Sequence, residues 1–224
     1  MKRSQIIINT LLIISIIVGD VFYIINGDLL TKSLTSGAFV FLGLTNLIYT
    51  FKFNSPNKKF SIFIFIGLVF AMLGDIILEL NFIIGALLFA TGHVFFFISY
   101  CNLLKLQAKD FLTGAIIFIP FTLLILFAPI FDFGGILMQG VCIFYTIIIS
   151  CMLGKAITNY IKDKNTLNLI LLIGSALFTF SDVMLLFNVF ANFGRIVGVL
   201  CLTTYYPAEI FLGLSVAFQN KITN

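Results

Sequence analysis

The sequence predicts an all-α polytopic membrane protein with eight spanning helices. Composition is the first observation. Of 224 residues, 61% are hydrophobic and 10% charged, and the mean hydropathy is +1.17. A soluble domain carries about 25% charged and about 45–50% apolar residues. Thirteen basic and nine acidic side chains are too few to coat a water-soluble globule. Disorder is excluded for the same reason, because disordered chains are charge-rich and apolar-poor. The second observation is that apolar residues come in unbroken runs rather than in alternation, which excludes a β-barrel. The third is length. A spanning helix takes about 20 residues, so eight of them leave room for short loops only. Residues 1–224 are therefore read as one membrane domain.

The spans divide at clusters of Lys, Asn and Asp. Span 1, near 6–25, follows Lys2-Arg3; no small-residue cleavage site comes after it, so it reads as a retained helix rather than a signal peptide. Span 2, near 33–51, ends in the turn segment 52–59, with Pro56 as breaker. Spans 3 and 4, near 60–80 and 82–101, meet at Asn81. Spans 5 and 6, near 111–130 and 133–153, meet across Pro129 to Asp132. Spans 7 and 8 lie near 167–188 and 193–218. The positive-inside rule sets the orientation. With the N-terminus inside, eleven basic residues fall on the cytoplasmic side, Lys221 among them, and only Lys32 and Arg195 fall outside. Both termini are expected to be cytoplasmic, in a multi-pass protein of the cell membrane.

An internal repeat lands on two carboxylates. Span 3 ends Gly74-Asp75-Ile76-Ile77-Leu78-Glu79-Leu80-Asn81, and span 7 ends Ser181-Asp182-Val183-Met184-Leu185-Leu186-Phe187-Asn188. The offset between them also aligns Ile66-Gly67 with Ile173-Gly174, so spans 3–4 echo spans 7–8. The asparagines read as helix caps. The aspartates do not, because a charge at a helix centre costs about 2.5–3.5 kcal/mol even on insertion scales. Helical rise puts Asp75 and Asp182 each about 22 Å into its span, at matching depth. A facing pair is expected. Asp20 has a similar depth but lies nearer a loop, and Glu79 is expected at the outer interface. Asp28, Asp110, Asp132 and Asp163 read as solvated loop charges.

Span 4 carries Gly85, Phe89, Gly92 and Phe96 on one stripe, where small residues permit close helix contact. His93, the only histidine, sits beside the stripe, about 18 Å below the outer edge. A single histidine excludes multi-histidine zinc sites. Span 8 holds Arg195 near its outer end, then Tyr205-Tyr206-Pro207-Ala208-Glu209 near mid-membrane. Pro207 frees a carbonyl one turn earlier, as in helices that line cavities. Arg195 is one of two arginines, and its guanidinium fork suits a lipid phosphate; an interfacial anchor or a partner for an aspartate is the alternative. Glu209 lies about 21 Å below Arg195, so both fit only a long, lipid-shaped cavity. The four cysteines lie in apolar runs without CxxC spacing and read as small buried hydrophobes. The charges form no patch suited to nucleic acid.

Taken together, Gly74-Asp75-x-x-Leu78, Gly85-x-x-x-Phe89-x-x-x-His93-x-x-Phe96, Ser181-Asp182-x-x-Leu185 and Tyr205-Tyr206-x-Ala208-Glu209 occur in family order. The chain resembles the YhhN-like lysoplasmalogenases, eight-span membrane proteins, over nearly its whole length. The resemblance implies hydrolysis of the vinyl-ether bond of lysoplasmalogens, releasing a fatty aldehyde and a glycerophospho-ethanolamine or -choline. It implies Asp75 and Asp182 as the essential carboxylates. Two positions depart from the family pattern: Glu209 stands where Gln is usual, and Lys32-Ser33 where Lys-Pro is usual.

The residues suit that chemistry. Vinyl-ether hydrolysis begins with slow protonation of the outer alkene carbon, by an acid that still holds its proton near neutral pH. A membrane interior and a neighbouring carboxylate both favour such an acid. The second carboxylate then steadies the oxocarbenium ion and orients water, as between glycosidase carboxylates. His93, Tyr205, Tyr206, Glu209 and Arg195 are the expected substrate-binding residues. No metal, nucleotide or other cofactor is required, and the expected partners are the lysophospholipid and membrane lipid, with no nucleic acid. Two other readings stay open: a proton-coupled small-solute transporter and a non-catalytic lipid-binding protein.

Overall fold

A computed structural model describes residues 2–219, so Lys221 of the charge tally lies outside the described residues. Among these residues the chain forms eight α-helices and no strand, and each helix is long and apolar enough to cross a membrane. They are α1 (Arg3–Asn26), α2 (Leu29–Lys52), α3 (Lys58–Leu78), α4 (Phe82–Leu103), α5 (Ala108–Phe127), α6 (Ile136–Lys162), α7 (Thr166–Phe190) and α8 (Arg195–Gln219). The chain is a multi-pass helical membrane protein.

Helix ends differ from the sequence reading where local polarity or proline decides. α2 starts at Leu29 rather than near residue 33, because the Asp28 carboxylate caps it. That carboxylate accepts the Thr31 hydroxyl at 2.7 Å and the Thr31 amide at 2.8 Å. The same bonds hold the Asp28 carboxyl below the usual carboxylate range. Thr31-Lys32-Ser33 is therefore helix, not loop. α5 stops at Phe127, short of the expected 130. Pro129 disfavours a helical residue before it, and Ala128 is extended. Asn81, read as a C-cap, instead caps the start of α4 by accepting the Ile84 amide at 3.1 Å.

α6 continues to Lys162, well past the expected 153, and this corrects the reading of Asp110. Rather than a solvated loop charge, Asp110 is buried and accepts Lys155 Nζ at 2.7 Å. Thr158 Oγ1 also donates to it, at 2.5 Å. Lys155, 1% exposed, is a buried ion-pair partner rather than a loop charge.

Close packing of α3 on α4 follows from alternating glycine and phenylalanine. A Cβ on Gly85 would lie 2.5 Å from the Leu78 Cα, and one on Gly74 would lie 3.0 Å from the Phe89 amide nitrogen. The expected small-residue stripe is thus the α3–α4 contact face. α8 packs on α1, α2, α3 and α7, and its buried Tyr206, Ala208, Leu212 and Val216 belong to the main core. α5 packs on α6 alone, at the rim of the bundle. α4 and α7 make no backbone contact; aromatic rings span the space between them. Phe178 meets His93 edge-on at 4.4 Å and Phe89 at 6.1 Å.

Candidate active site

Asp75 sits one turn before the end of α3, 3% exposed. Both of its oxygens are engaged. Lys32 Nζ of α2 approaches Oδ1 at 3.1 Å. Ser36 Oγ, one turn further along α2, donates to Oδ2, and Tyr206 Oη of α8 reaches the same oxygen at 3.3 Å. Lys32 also donates to Glu79 Oε1 at 2.7 Å, and Tyr23 Oη donates to that oxygen at 2.8 Å. Two carboxylates therefore share one buried ammonium. Lys32 was expected in a loop; it is 4% exposed because the Asp28 cap brings it into the first turn of α2. Its aliphatic stem is buried while its ammonium finds two anions, which is how a low-dielectric site tolerates a charge.

Asp182 of α7 has a different setting. Tyr145 Oη of α6 donates to Oδ2 at 2.7 Å, and His93 Nε2 of α4 lies 2.7 Å from the same phenolic oxygen. His93 Nε2 is 3.5 Å from Asp182 Oδ2. Three polar groups from three helices thus form a short chain: Asp182, Tyr145, His93. The chain is satisfied with a proton at either end. Tyr145 donates to Asp182 while His93 Nε2–H donates to Tyr145, or every donor reverses. His93 is fully buried, and its Nδ1 has no hydrogen-bond partner.

Asp75 and Asp182 line one cavity of about 340 Å³, at the end of the bundle opposite Arg3 and Gln219. They do not bond each other. The expected facing pair is instead two separately partnered carboxylates across a shared space. Lys32, Glu79, Arg195 and Tyr205 also line this cavity, together with Ser181 and Asn188. The structure thus brings Asp75, Asp182, Arg195 and Tyr205 to one wall system. His93 and Tyr206 stand one layer behind, touching Asp182 and Asp75 respectively. The Tyr205 hydroxyl is buried and unpartnered. Glu209 lies apart from the cavity lining. It is 0% exposed, and neither carboxyl oxygen has a hydrogen-bond partner. Asp20, 7% exposed, likewise leaves Oδ1 unpartnered.

The sequence profile of the YhhN family matches residues 28–216. The chain belongs to the YhhN family. No curated protein and no solved structure matches it. The matched segment of this YhhN chain contains Lys32, Asp75, His93, Tyr145, Asp182 and Arg195, and leaves α1, with Asp20 and Tyr23, outside.

Sequence reasoning about this YhhN protein missed Lys32 and Tyr145. For Lys32 a signal existed. Lys32, Ser36, Phe39, Gly43, Asn46 and Thr50 recur at intervals of four and three and all are buried on one face of α2. For Tyr145 there was none, since a lone tyrosine in an apolar helix reads as core.

Proposed function

We propose that this YhhN protein is a membrane hydrolase that cleaves the vinyl-ether bond of lysoplasmalogens. The supporting observation is that Asp75 and Asp182 line the same polar cavity while holding opposite kinds of partner. Asp75 faces an ammonium and two hydroxyl groups, a setting that compensates a negative charge. Asp182 faces a phenol and an imidazole, groups that can pass a proton.

Asp182 is accordingly the proton donor. Its proton goes to the outer alkene carbon, and the carbon attached to oxygen becomes an oxocarbenium ion. The Asp75 carboxylate, fixed by Lys32, orients the water that attacks this carbon. The proton released by that water returns to Asp182, directly or through Tyr145 and His93. The hemiacetal then collapses: its hydroxyl proton passes to the departing glycerol oxygen, and aldehyde and alcohol separate. One water is consumed and no group stays on the protein. Arg195, exposed at the cavity mouth, is the cation available to a phosphate, since Lys32 is held by Asp75 and Glu79.

The test is aldehyde release from a lysoplasmalogen by purified wild-type, Asp75→Asn and Asp182→Asn proteins. A positioned general acid contributes about 10²–10⁴-fold, so Asp182→Asn is expected to lose that much. Wild-type rates in both folded variants would overturn the reading. The transporter reading draws on one observation, the buried Lys32–Asp75 pair. Solute uptake by liposomes without aldehyde production would favour it.

A further inference from the structure

A second, narrow cavity of about 80 Å³ lies beside the polar one, and its walls are almost wholly apolar. It occupies the space left because α5 packs on α6 alone while α4 and α7 stand apart. Phe121 and Ile125 of α5 form one side and Cys142 and Tyr145 of α6 another. It is bordered by a small satellite core in which Ile125, Cys142 and Phe190 pack with Phe82, Phe131 and Phe133. The connection after α5 is tied down there, with the Asp132 amide donating to the Phe190 carbonyl at 2.8 Å.

The two cavities have a wall in common. Leu78, Phe89, Asp182 and Leu185 line both. Three are apolar and form a ridge; the fourth is the carboxyl assigned the proton transfer. A molecule with a charged end and a hydrocarbon end, straddling this ridge, puts the junction between its two ends beside Asp182. In a lysoplasmalogen that junction is the vinyl ether.

We infer that the apolar cavity between α4, α5, α6 and α7 binds the single hydrocarbon chain of the lysolipid, an inference that rests on the substrate class proposed above. The glycerophospho group occupies the polar cavity, with Arg195 as its cation. The chain crosses between Phe89 and Leu185 and runs toward Phe121, Ile125 and Cys142. A shared wall that includes a reactive carboxylate selects this occupant over an ordinary bilayer lipid, whose chains have no reason to end at Asp182.

The test uses the full-length protein in nanodiscs and a hexadecyl ether lysophosphoethanolamine carrying a diazirine at the chain terminus. A saturated ether lacks the vinyl bond, so labelling does not depend on turnover. Photolysis and peptide mass spectrometry are expected to find adducts on Phe121, Ile125 or Cys142. Adducts confined to outward-facing residues such as Leu112 and Leu123 would overturn the inference. So would equal labelling of the cavity by a two-chained phosphatidylethanolamine bearing the same diazirine. In a second readout, Cys142→Phe shortens the cavity. It is expected to lower kcat/KM for a hexadecenyl substrate relative to an octenyl one by roughly tenfold, through lost burial of the distal chain. Equal losses for both chain lengths would count against a chain site there. Cavity adducts without aldehyde production would support this site and remove the vinyl-ether reading. Aldehyde production with no cavity adducts would do the reverse.

Discussion

Lys32 of α2 lies 3.1 Å from Asp75 of α3, with both side chains 5% exposed. Removing one member of such a buried pair strands the other. Lys32→Met is expected to destabilise the protein by about 3–5 kcal/mol, and Lys32→Met with Asp75→Asn by clearly less, because the one carboxylate then left without the ammonium is Glu79, whose side chain is 44% exposed. Reversible unfolding in detergent micelles, followed by far-UV circular dichroism, checks the order. With Asp75→Asn measured alone, a double variant whose loss equals the sum of the two single losses would show that the pair is not coupled.

The proton chain from Asp182 through Tyr145 to His93 makes a kinetic prediction. Tyr145→Phe keeps the ring packed against His93 and removes only the hydroxyl. It is expected to lower kcat by about 10²-fold or less, within the general acid–base range. KM should stay close to wild type, since the ring stays in place. A raised KM with unchanged kcat would move Tyr145 from proton handling to substrate binding.

Carbon protonation leaves an isotopic record. In deuterium oxide, the aldehyde trapped by immediate reduction is expected to carry one deuterium at the carbon next to the carbonyl, and the rate is expected to fall. In oxygen-18 water the label belongs in the aldehyde and not in the glycerol. Label in the glycerol oxygen would mean cleavage of the other carbon–oxygen bond. Mass spectrometry of both products decides it.

Arg195 is exposed at the mouth of the polar cavity. Replacing it by Gln is expected to raise KM for a phosphorylated lysolipid by about tenfold, roughly 1.4 kcal/mol of binding, with kcat little changed. Steady-state kinetics against a head-group-free alkenylglycerol provides the control. If both substrates lose equally, Arg195 does not meet the phosphate.

Packing of α3 on α4 gives a prediction away from the chemistry. A methyl group on Gly85 meets the Leu78 backbone, which cannot yield as a side-chain end would. Gly85→Ala is expected to cost about 1–3 kcal/mol by overpacking. Thermal unfolding of the detergent-solubilised protein measures it.

The eight helices were legible because lipid imposes one requirement on every spanning segment, a long apolar stretch. Asp75 and Asp182 were legible for the converse reason: a carboxylate inside such a stretch needs a cause. Lys32 and the Asp110–Lys155 pair were not. Hydropathy assigns any charge near a span end to solvent, whereas Asp28 capping α2 and the long C-terminal part of α6 draw these charges inward. Glu209 shows the limit from the other side. Its burial was legible, yet no sequence pattern told that both its oxygens would lack partners away from the cavity lining. Which carboxylate touches which group depends on how helices rotate against one another, and one-dimensional patterns carry little of that.

The ridge of Leu78, Phe89 and Leu185 divides a polar chamber from an apolar one, with Asp182 on both sides of the divide. On the proposed reaction, a molecule cut at that line falls into halves with opposite solubilities. The aldehyde is left facing hydrocarbon and the glycerophospho-alcohol facing water. Neither product needs to pass the other to escape, and each departs into a phase from which its counterpart is excluded. Recombination on the protein would require both to return to Asp182 at once.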